Sequence, residues 1–287
     1  MNDPDRIPRS LGAKDYATVW DNVAKVREHA FELVDTSRTE EELERAGQTL
    51  APFLVKGLAI TREDVVFELG CGVARLGKGV APHAREWWGL DVSANMVEIA
   101  RERCRGIPNV RFFVGAGRDL ADVPTASVDK MYCHGVFIHM DKEDWYTYLV
   151  DARRVLKPGG LFYFDIWNLC DPVGWLRWQC ERNLYRDRSD RPAHRNQFST
   201  PDEVRQMLLM TGWLPLEVFE TFNVQAVATH APAGADRAAF LADVERRCGR
   251  CFEALRLTPG DVQAFRERVV EMLRERGLEP ETKPASP

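Results

Sequence analysis

Two glycines directly follow a short apolar run that contains one acid, in the stretch Val65-Val66-Phe67-Glu68-Leu69-Gly70-Cys71-Gly72. Glycines at the end of a buried strand allow a tight turn and let the backbone approach a ligand closely. A second acid, Asp91, ends the next apolar run, 19 residues after Gly72. In nucleotide-binding sheets an acid at that place accepts hydrogen bonds from ribose hydroxyls. The spacing therefore favours a nucleotide-type ligand over a turn without one.

The residue at the place of a third glycine indicates which nucleotide fits. A dinucleotide-binding loop has glycine three residues after its second glycine, and this chain has Arg75 there. An arginine would crowd the close packing of helix and strand around a pyrophosphate. The loop thus argues against an NAD(P)-dependent oxidoreductase, which we keep as an alternative.

Side chains that could take a proton from a substrate follow two later apolar runs. His134, His139 and Asp141 come after the first of these runs, and Asp165 and Asn168 lie at the end of the second. Imidazole and carboxylate groups are the usual general bases. The alternatives are a structural histidine and a side chain that caps a loop.

Short apolar runs that alternate with helical patterns predict the scaffold of these residues. Strands are predicted at 65–69, 86–90, 110–115, 128–133 and 161–167, and helices at 96–103 and 142–156. The turn 157–160 is expected to separate the last helix from the fifth strand. Strict alternation of strand and helix implies a parallel sheet with right-handed crossovers.

The flanking segments have other patterns. An apolar stripe from Tyr16 to Leu33 predicts a helix, and Thr39 with Glu42 predicts the capped start of a second one. Residues 168–198 have poor periodicity and are predicted to form an insertion. A helix from Thr200 to about Met210, a hairpin over 216–227, and helices at 235–256 and 260–277 are expected to follow.

Several segments together resemble class I S-adenosylmethionine-dependent methyltransferases. Glu68-x-Gly70-x-Gly72 is similar to motif I of that family, and Asp91-Val92-Ser93-Ala94-Asn95-Met96 to its ribose acid and the helix start that follows. Later segments at 127–134, 153–160 and 198–213 are also similar to the family. Over about 62–230 the resemblance implies an α/β fold, a doubly wound, Rossmann-like, seven-stranded and mostly parallel sheet.

The resemblance also implies S-adenosyl-L-methionine as cofactor and S-adenosyl-L-homocysteine as product. Ala116 replaces a common adenine-binding Asp of the family, so recognition of adenine would fall to Gly117, Arg118 or Asp119. No metal is expected, because Asp165 and Asn168 do not form the adjacent Asp-Asn pair of metal-dependent relatives. The cofactor-binding residues expected are Tyr16, Trp20, Glu68, Gly70, Cys71, Gly72, Arg75, Asp91, Val92, Met96, Gly117, Arg118 and His134. The catalytic residues expected are His139, His134 and Asp165.

Two segments could cover the site. Tyr16 and Trp20 lie one helical turn apart, and they either fold over the cofactor or belong to the core. In 168–198, Trp175, Trp178 and Tyr185 could line a chamber. The six arginines of that segment either bind an anionic group of the substrate or form a solvated surface with Asp187 and Asp190; they are Arg177, Arg182, Arg186, Arg188, Arg191 and Arg195.

Composition limits the function and the location. The formal net charge of −5 gives no global sign of nucleic-acid binding. No apolar run suggests a signal peptide or a membrane span, so we expect a cytoplasmic protein with no membrane partner. The seven scattered cysteines predict reduced thiols, and Cys248 and Cys251, a lone C-x-x-C pair, are expected to be structural.

The expected organisation has four parts. An N-terminal helical cap at 1–61 precedes a cofactor-binding domain at 62–230 with a lid at 168–198, a helical extension at 231–278 and a disordered tail at 279–287. The expected activity is methyl transfer to an oxygen, nitrogen or sulfur of a small molecule. A non-catalytic cofactor-binding regulator is a further alternative. The sequence leaves open whether the C-terminal helices extend the lid or form a homodimer contact.

Overall fold

The computed structural model describes residues 15–189, 192, 195–249 and 251–275. The predicted disordered tail, Asp190 and Arg191 lie outside the described residues. Eight strands form one sheet: β1 (Val65–Leu69), β2 (Glu86–Asp91), β3 (Val110–Val114), β4 (Val128–Cys133), β5 (Leu156–Asn168), β6 (Phe198–Ser199), β7 (Leu214–Glu220) and β8 (Asn223–Thr229). Ten α-helices accompany them: α1 (Tyr16–Val23), α2 (Arg27–Asp35), α3 (Glu40–Gly57), α4 (Gly77–Val80), α5 (Ala94–Arg103), α6 (Lys142–Val155), α7 (Pro172–Tyr185), α8 (Pro201–Met210), α9 (Arg237–Cys248) and α10 (Pro259–Glu275).

The sheet has the strand order β3-β2-β1-β4-β5-β8-β7, with the two-residue β6 beside β5. Strands β1 to β6 pair in parallel, whereas β8 runs antiparallel to both β5 and β7. The expected doubly wound, mostly parallel sheet is confirmed, and β6 is an addition to the seven strands expected. The strand order reverses between β1 and β4. Ligands bind to such sheets at the carboxyl ends of the strands next to this point.

Both faces of the sheet are covered. Phe162, Phe164 and Ile166 of β5 enter one hydrophobic core, and Leu161 and Tyr163 of the same strand enter the other. Successive side chains of a strand point to opposite faces, so a strand between two cores is apolar throughout. This explains why β1, with all five residues buried, shows no polar alternation.

Three local predictions were wrong. The stripe from Tyr16 to Leu33 is divided between α1 and α2, because the chain leaves the helical path after Val23. The 157–160 stretch is not a turn between elements but the first part of β5, where its pairing with β4 shifts register. The 235–256 region is α9 followed by a 3-10 helix at Cys251–Leu255.

The insertion 168–198 contains a helix that its poor periodicity did not predict. Asp171 caps α7 by accepting a hydrogen bond from the Val173 backbone at 2.8 Å, and Pro172 stands at the start of the helix. Asp171 also accepts a hydrogen bond from Arg266 of α10 at 3.0 Å. The same carboxylate therefore begins α7 and holds it against the C-terminal helix.

The helix capped by Thr39 was predicted correctly. The Thr39 side chain accepts a hydrogen bond from the Glu42 N–H, and the Glu42 carboxylate accepts one from the Thr39 N–H. Helix α3 packs so tightly on the 3-10 helix at Cys251–Leu255 that a Cβ on Gly57 would lie 2.3 Å from Leu255 Cγ. The C-terminal segment is thus docked on the domain.

Candidate active site

The glycine loop after β1 takes a backbone path that requires glycine. Gly70 has φ +70°, and a Cβ there would lie 2.3 Å from a methyl carbon of Val136. The N–H groups of Gly70 and Cys71 both donate to the Leu90 carbonyl, at 2.7 and 2.9 Å. These bonds hold the loop against the end of β2.

Asp91 completes the fixation of this loop. One carboxylate oxygen accepts a hydrogen bond from the Gly72 N–H at 2.8 Å, and the other accepts one from the Ser93 N–H at 2.9 Å. Burial raises the pKa of Asp91, although both N–H donors favour its charged form. Each oxygen keeps a second lone pair, so Asp91 can also accept hydrogen bonds from a ligand.

Glu68 is buried beneath the loop. The Tyr132 hydroxyl donates to its carboxylate at 2.7 Å and accepts a hydrogen bond from the Trp87 indole at 2.9 Å. Burial is the main cause that raises the pKa of Glu68 to about 8, against the smaller lowering effect of the Tyr132 hydrogen bond. The carboxyl group is therefore predominantly protonated at neutral pH.

Arg75, at the place of the third glycine, is paired. Its guanidinium lies 2.9 Å from the Asp35 carboxylate at the end of α2, and both side chains are mostly shielded from solvent. A paired cation and anion next to the glycine loop can bind a ligand that carries both charges.

An imidazole and a carboxylate meet at the ends of β4 and β5. The Nδ1 atom of His134 lies 3.2 Å from Oδ2 of Asp165. Asp165 is buried and also accepts hydrogen bonds from the Gly135 N–H at 2.7 Å and the Asn223 amide at 2.9 Å. Burial lowers the pKa of His134, and the neighbouring Asp165 only partly opposes this. His134 is thus a neutral imidazole whose Nδ1 faces a fixed carboxylate, which leaves Nε2 as its basic atom.

His139 has a different environment. Its ring lies edge-on to the Trp20 indole, with ring centroids 5.1 Å apart. Tyr16, one turn before Trp20, donates from its hydroxyl to Asp144 at 2.7 Å and accepts from the Asp141 N–H at 3.0 Å. Helix α1 is therefore fastened over the segment between β4 and α6.

One cavity of about 760 Å³ joins these groups. It is lined by every expected cofactor-binding and catalytic residue except Arg118, which is exposed and lies outside it. Tyr16 and Trp20 both line the cavity. These side chains can therefore pack in the core and also cover the site. A space of this size is within the range of ligand sites in proteins.

Most of the residues in 168–198 that were expected to cover the site do not line the cavity. Trp175 and Trp178 stack on each other with ring centroids 4.8 Å apart, and neither they nor Tyr185 line the cavity. Of the five arginines of this segment that the structure describes, Arg177 alone is among the lining residues.

The C-terminal segment supplies the rest of the cover, through Leu255, Leu257, Phe265, Arg268 and Val269. From the sequence this role was one of two open alternatives for the C-terminal helices, because these residues are far from the motifs along the chain. Asn223 and Gln225 of β8 were also missed as lining residues. They are polar side chains two residues apart within a predicted strand, a signal that could have indicated one polar face.

The cysteine pair is separate from the cavity. Cys248 and Cys251 are half-buried and pack against a hydrophobic core. A hydrogen bond between the two thiols is the main cause that lowers the pKa of Cys248 to about 6. Their expected structural role stays a prediction.

Comparison with known proteins identifies the domain. Residues 66–160 match the family model described as a methyltransferase domain. Over 105 residues the chain is 34% identical to a demethylmenaquinone methyltransferase of Tropheryma whipplei, which covers 37% of this chain and 42% of that protein. Over 123 residues it is 29% identical to a cyclopropane-fatty-acyl-phospholipid synthase of Escherichia coli, covering 42% of this chain and 31% of that one. The chain thus spans less than half the length of these relatives.

A solved structure has the same fold over a larger part of the chain. Geranyl diphosphate C-methyltransferase from Streptomyces coelicolor superposes with a TM-score of 0.54 at 15% identity, covering 76% of this chain and 97% of that one. The sequence match over 66–160, the strand order and the glycine loop tied to Asp91 agree with the expected family. The chain carries a methyltransferase domain of the class I S-adenosylmethionine-dependent family.

Proposed function

We propose that this protein transfers a methyl group from S-adenosylmethionine to an oxygen, nitrogen or sulfur atom of a small molecule. The observation that carries the proposal is one cavity that contains both the Asp91-bound glycine loop and the His134–Asp165 pair. The cofactor, when bound, supplies a methyl group that its sulfonium has already activated. The protein then has to hold and align both molecules. Such positioning can lower the activation free energy by roughly 7–11 kcal/mol.

The nucleoside part of the cofactor fits the end of β2. Asp91 has lone pairs for ribose hydroxyls, and Val92 and Met96 offer apolar surface for adenine on the same side of the cavity. Gly117 has φ +76° and lines the cavity, so its backbone is available at the adenine edge. Arg118 is our least supported cofactor residue because its side chain lies outside the cavity.

The methionine part of the cofactor fits the Arg75–Asp35 pair. The loop N–H groups of residues 70–72 are engaged by Leu90 and Asp91, so they are not available for the carboxylate of a ligand. Arg75 can bind that carboxylate and Asp35 the ammonium group, since each charge lines the cavity. This pair then explains why an arginine stands where dinucleotide-binding loops have glycine.

His134 is our candidate general base for an acceptor that loses a proton. Asp165 would accept the Nδ1–H, which fixes the tautomer and leaves Nε2 to take the proton. His139 also lines the cavity and stays a second candidate. We place His134 first because its Nδ1 lies 3.2 Å from the buried Asp165 carboxylate, which can orient the ring.

The rim of the cavity favours an acceptor with an anionic group. Arg177 of α7 and Arg268 of α10 both line it, and the Arg268 guanidinium lies 5.8 Å from the centre of the Phe265 ring. An apolar acceptor with a carboxylate or phosphate would match this arrangement.

Calorimetry with S-adenosylhomocysteine and with NADH tests the proposal. We expect micromolar or tighter binding of S-adenosylhomocysteine and no binding of NADH; the reverse result would contradict the proposal and support the oxidoreductase alternative. Release of S-adenosylhomocysteine from S-adenosylmethionine in the presence of phenols, amines and thiols then separates an enzyme from a non-catalytic regulator. Binding without turnover on any acceptor class would favour the regulator.

For the described residues, no helix is both long and apolar enough to cross a membrane.

A further inference from the structure

Two side-chain amides of β8 present buried oxygens that lack hydrogen-bond donors. Asn223 and Gln225 are each more than nine-tenths buried. Within the described part of the chain, no donor reaches Oδ1 of Asn223 or Oε1 of Gln225. A buried acceptor without a partner costs free energy, so a purely structural position would favour an apolar residue.

The nitrogen ends of both amides donate hydrogen bonds, and the partner of Asn223 also fixes the direction of its oxygen. The Asn223 amide donates to Oδ2 of Asp165 at 2.9 Å, and the Gln225 amide donates to the Tyr163 hydroxyl at 3.1 Å. A carboxylate oxygen can only accept, so the Asn223 nitrogen must face Asp165.

Strand pairing places both amides on the sheet face that carries Asp165, the carboxylate partner of the proposed base. Gln225 is opposite Asp165, and Asn223 is opposite Trp167, in the antiparallel pair of β8 and β5. Opposite residues of such a pair share one face of the sheet. All four residues line the cavity that contains His134.

An aromatic wall borders the same part of the cavity. The rings of Phe222 and Phe265 stack with centroids 3.8 Å apart at an interplanar angle of 11°, and the Trp167 ring is 6.3 Å from Phe222 and 6.1 Å from Phe265. All three side chains line the cavity. Flat apolar molecules fit walls of this kind.

We infer that the acceptor is a flat, apolar molecule whose two neighbouring hydroxyl or amino groups donate hydrogen bonds to Asn223 Oδ1 and Gln225 Oε1. This inference rests on the proposed function and narrows its substrate class. Asp165 already accepts hydrogen bonds from Gly135 and Asn223 and lies beside His134. The hydroxyl or amino groups of the methyl-accepting molecule would therefore donate to the amide oxygens. A donor group held there lies next to the base that would take its proton.

Three matched probes test the inference in the presence of saturating S-adenosylhomocysteine. Naphthalene-2,3-diol and 2,3-diaminonaphthalene each carry two donors, whereas 2,3-dimethoxynaphthalene has the same ring system and none. We expect the diol or the diamine to bind at least about tenfold more tightly than the dimethoxy compound in calorimetry. The tighter of the two identifies the donor group as hydroxyl or amine. Equal affinities, or no binding of any probe at millimolar concentration, would overturn the inference.

Two variants separate the Gln225 oxygen from its hydrogen bond to Tyr163. Gln225→Met removes the oxygen, and we expect the preference for the donor-bearing probe to fall to less than about threefold. Tyr163→Phe removes the hydroxyl that accepts from the Gln225 nitrogen and lies 3.5 Å from His134 Nδ1, but it leaves the Gln225 oxygen in place, so the preference should persist. A preference that survives in Gln225→Met, or that disappears in Tyr163→Phe, would contradict the inference.

Binding of S-adenosylhomocysteine distinguishes the two levels of proposal and confirms that each variant is folded. If the wild-type protein does not bind it, the proposed function fails. If it binds and the probes show no preference, only the acceptor inference fails.

Discussion

The Nδ1 atom of His134 lies 3.2 Å from Oδ2 of Asp165, which is itself held by the Gly135 N–H and the Asn223 amide. His134 follows β4, but its imidazole faces Asp165, which belongs to β5. The Asp165 carboxylate is in turn held by Asn223 of β8. Burial lowers the pKa of this histidine, so the neutral form that can accept a proton dominates at neutral pH.

Replacement of His134 tests its role as a base. We expect His134→Ala to lower kcat by about 100-fold for an acceptor that loses a proton. In the wild-type protein, kcat/KM should rise with pH through a value below the ordinary histidine pKa and stay level above it, because the base must be unprotonated. His139→Ala is the matched control and should cost less than about threefold. A large loss in His139→Ala with an intact rate in His134→Ala would assign the base to His139 instead.

Asp91 is expected to bind the ribose of the cofactor. Asp91→Asn retains a hydrogen-bond acceptor for the Gly72 N–H but loses the charge, so affinity for S-adenosylhomocysteine should fall about 10- to 100-fold. Calorimetry measures this change. Glu98→Gln removes an acid of the following helix that is exposed and pairs only weakly with Arg101 at 3.6 Å, and it should leave affinity unchanged. Equal affinities for both variants would contradict the assignment.

Arg75 and Asp35 are expected to bind the amino-acid part of the cofactor. Arg75→Gln should lower the affinity for S-adenosylhomocysteine about tenfold or more, because a charge-assisted hydrogen bond is lost. The affinity for 5′-methylthioadenosine, which lacks the amino-acid group, should stay within about twofold. Asp35→Asn should show the same selectivity. An equal loss for both ligands would indicate a structural role for the pair.

Tyr16 fastens helix α1 to the segment that begins α6. Tyr16→Phe removes the hydroxyl that bonds to Asp144 and Asp141, and we expect the free energy of unfolding to fall by about 1–2 kcal/mol. Amide hydrogen exchange in residues 16–23 should accelerate more than exchange in β1. Tyr146→Phe is the control, because Tyr146 is an exposed tyrosine of α6. Unchanged exchange in α1 would show that the hydroxyl does not hold the helix.

The stability of the protein should depend on Glu68 in a defined pH range. Its folded-state pKa of about 8 is above the ordinary value of 4.5, so the unfolded chain releases its proton first. The contribution of Glu68 to the free energy of unfolding is fully present below pH 4.5 and is lost as the pH rises through 8. Between pH 6.5 and 8 the contribution of Glu68 to the free energy of unfolding should decrease by at most about 2 kcal/mol.

Glu68→Gln removes this titration and should flatten the decrease over the same range. Denaturant unfolding at several pH values measures both proteins. The lowered pKa values of His134 and His230 act in the opposite direction mainly below pH 6.5, and the lowered pKa of Cys248 does so within the range itself, so the difference between the two proteins isolates the effect of Glu68. An identical slope in both proteins would show that Glu68 is ionised in the folded state.

Local patterns were sufficient wherever short-range chemistry determines the structure. An apolar run that ends in Gly70 and Gly72 can form only a buried strand and a tight turn, and the acid at position 91 ends the neighbouring parallel strand. The capping box at Thr39 was predictable for the same reason, since its partners are three residues apart. The mostly parallel sheet followed from the strict alternation of strands and helices.

The pattern was misleading where packing overrides local preference. Helix α7 buries Val173, Leu176 and Cys180, but its exposed Trp175 and Leu184 obscure the apolar stripe. Residues 157–160 contain proline and two glycines, yet they extend β5 because Gly159 donates a hydrogen bond to the His230 carbonyl at 3.0 Å. That bond joins residues far apart in the chain.

By itself the sequence predicted the family, the sheet and the glycine loop with Asp91, because each of these depends on neighbours along the chain or on the regular geometry of parallel strands. Only the tertiary structure brought Asp165 to His134 and decided what lines the rest of the cavity. Asp165, Asn223 and Gln225 meet through antiparallel pairing of β5 with β8, and Phe265 and Arg268 reach the cavity because α10 docks on α7. Such contacts join segments from 40 to more than 100 residues apart. Over that distance, the spacing of residues in one sequence does not predict which residues will pair.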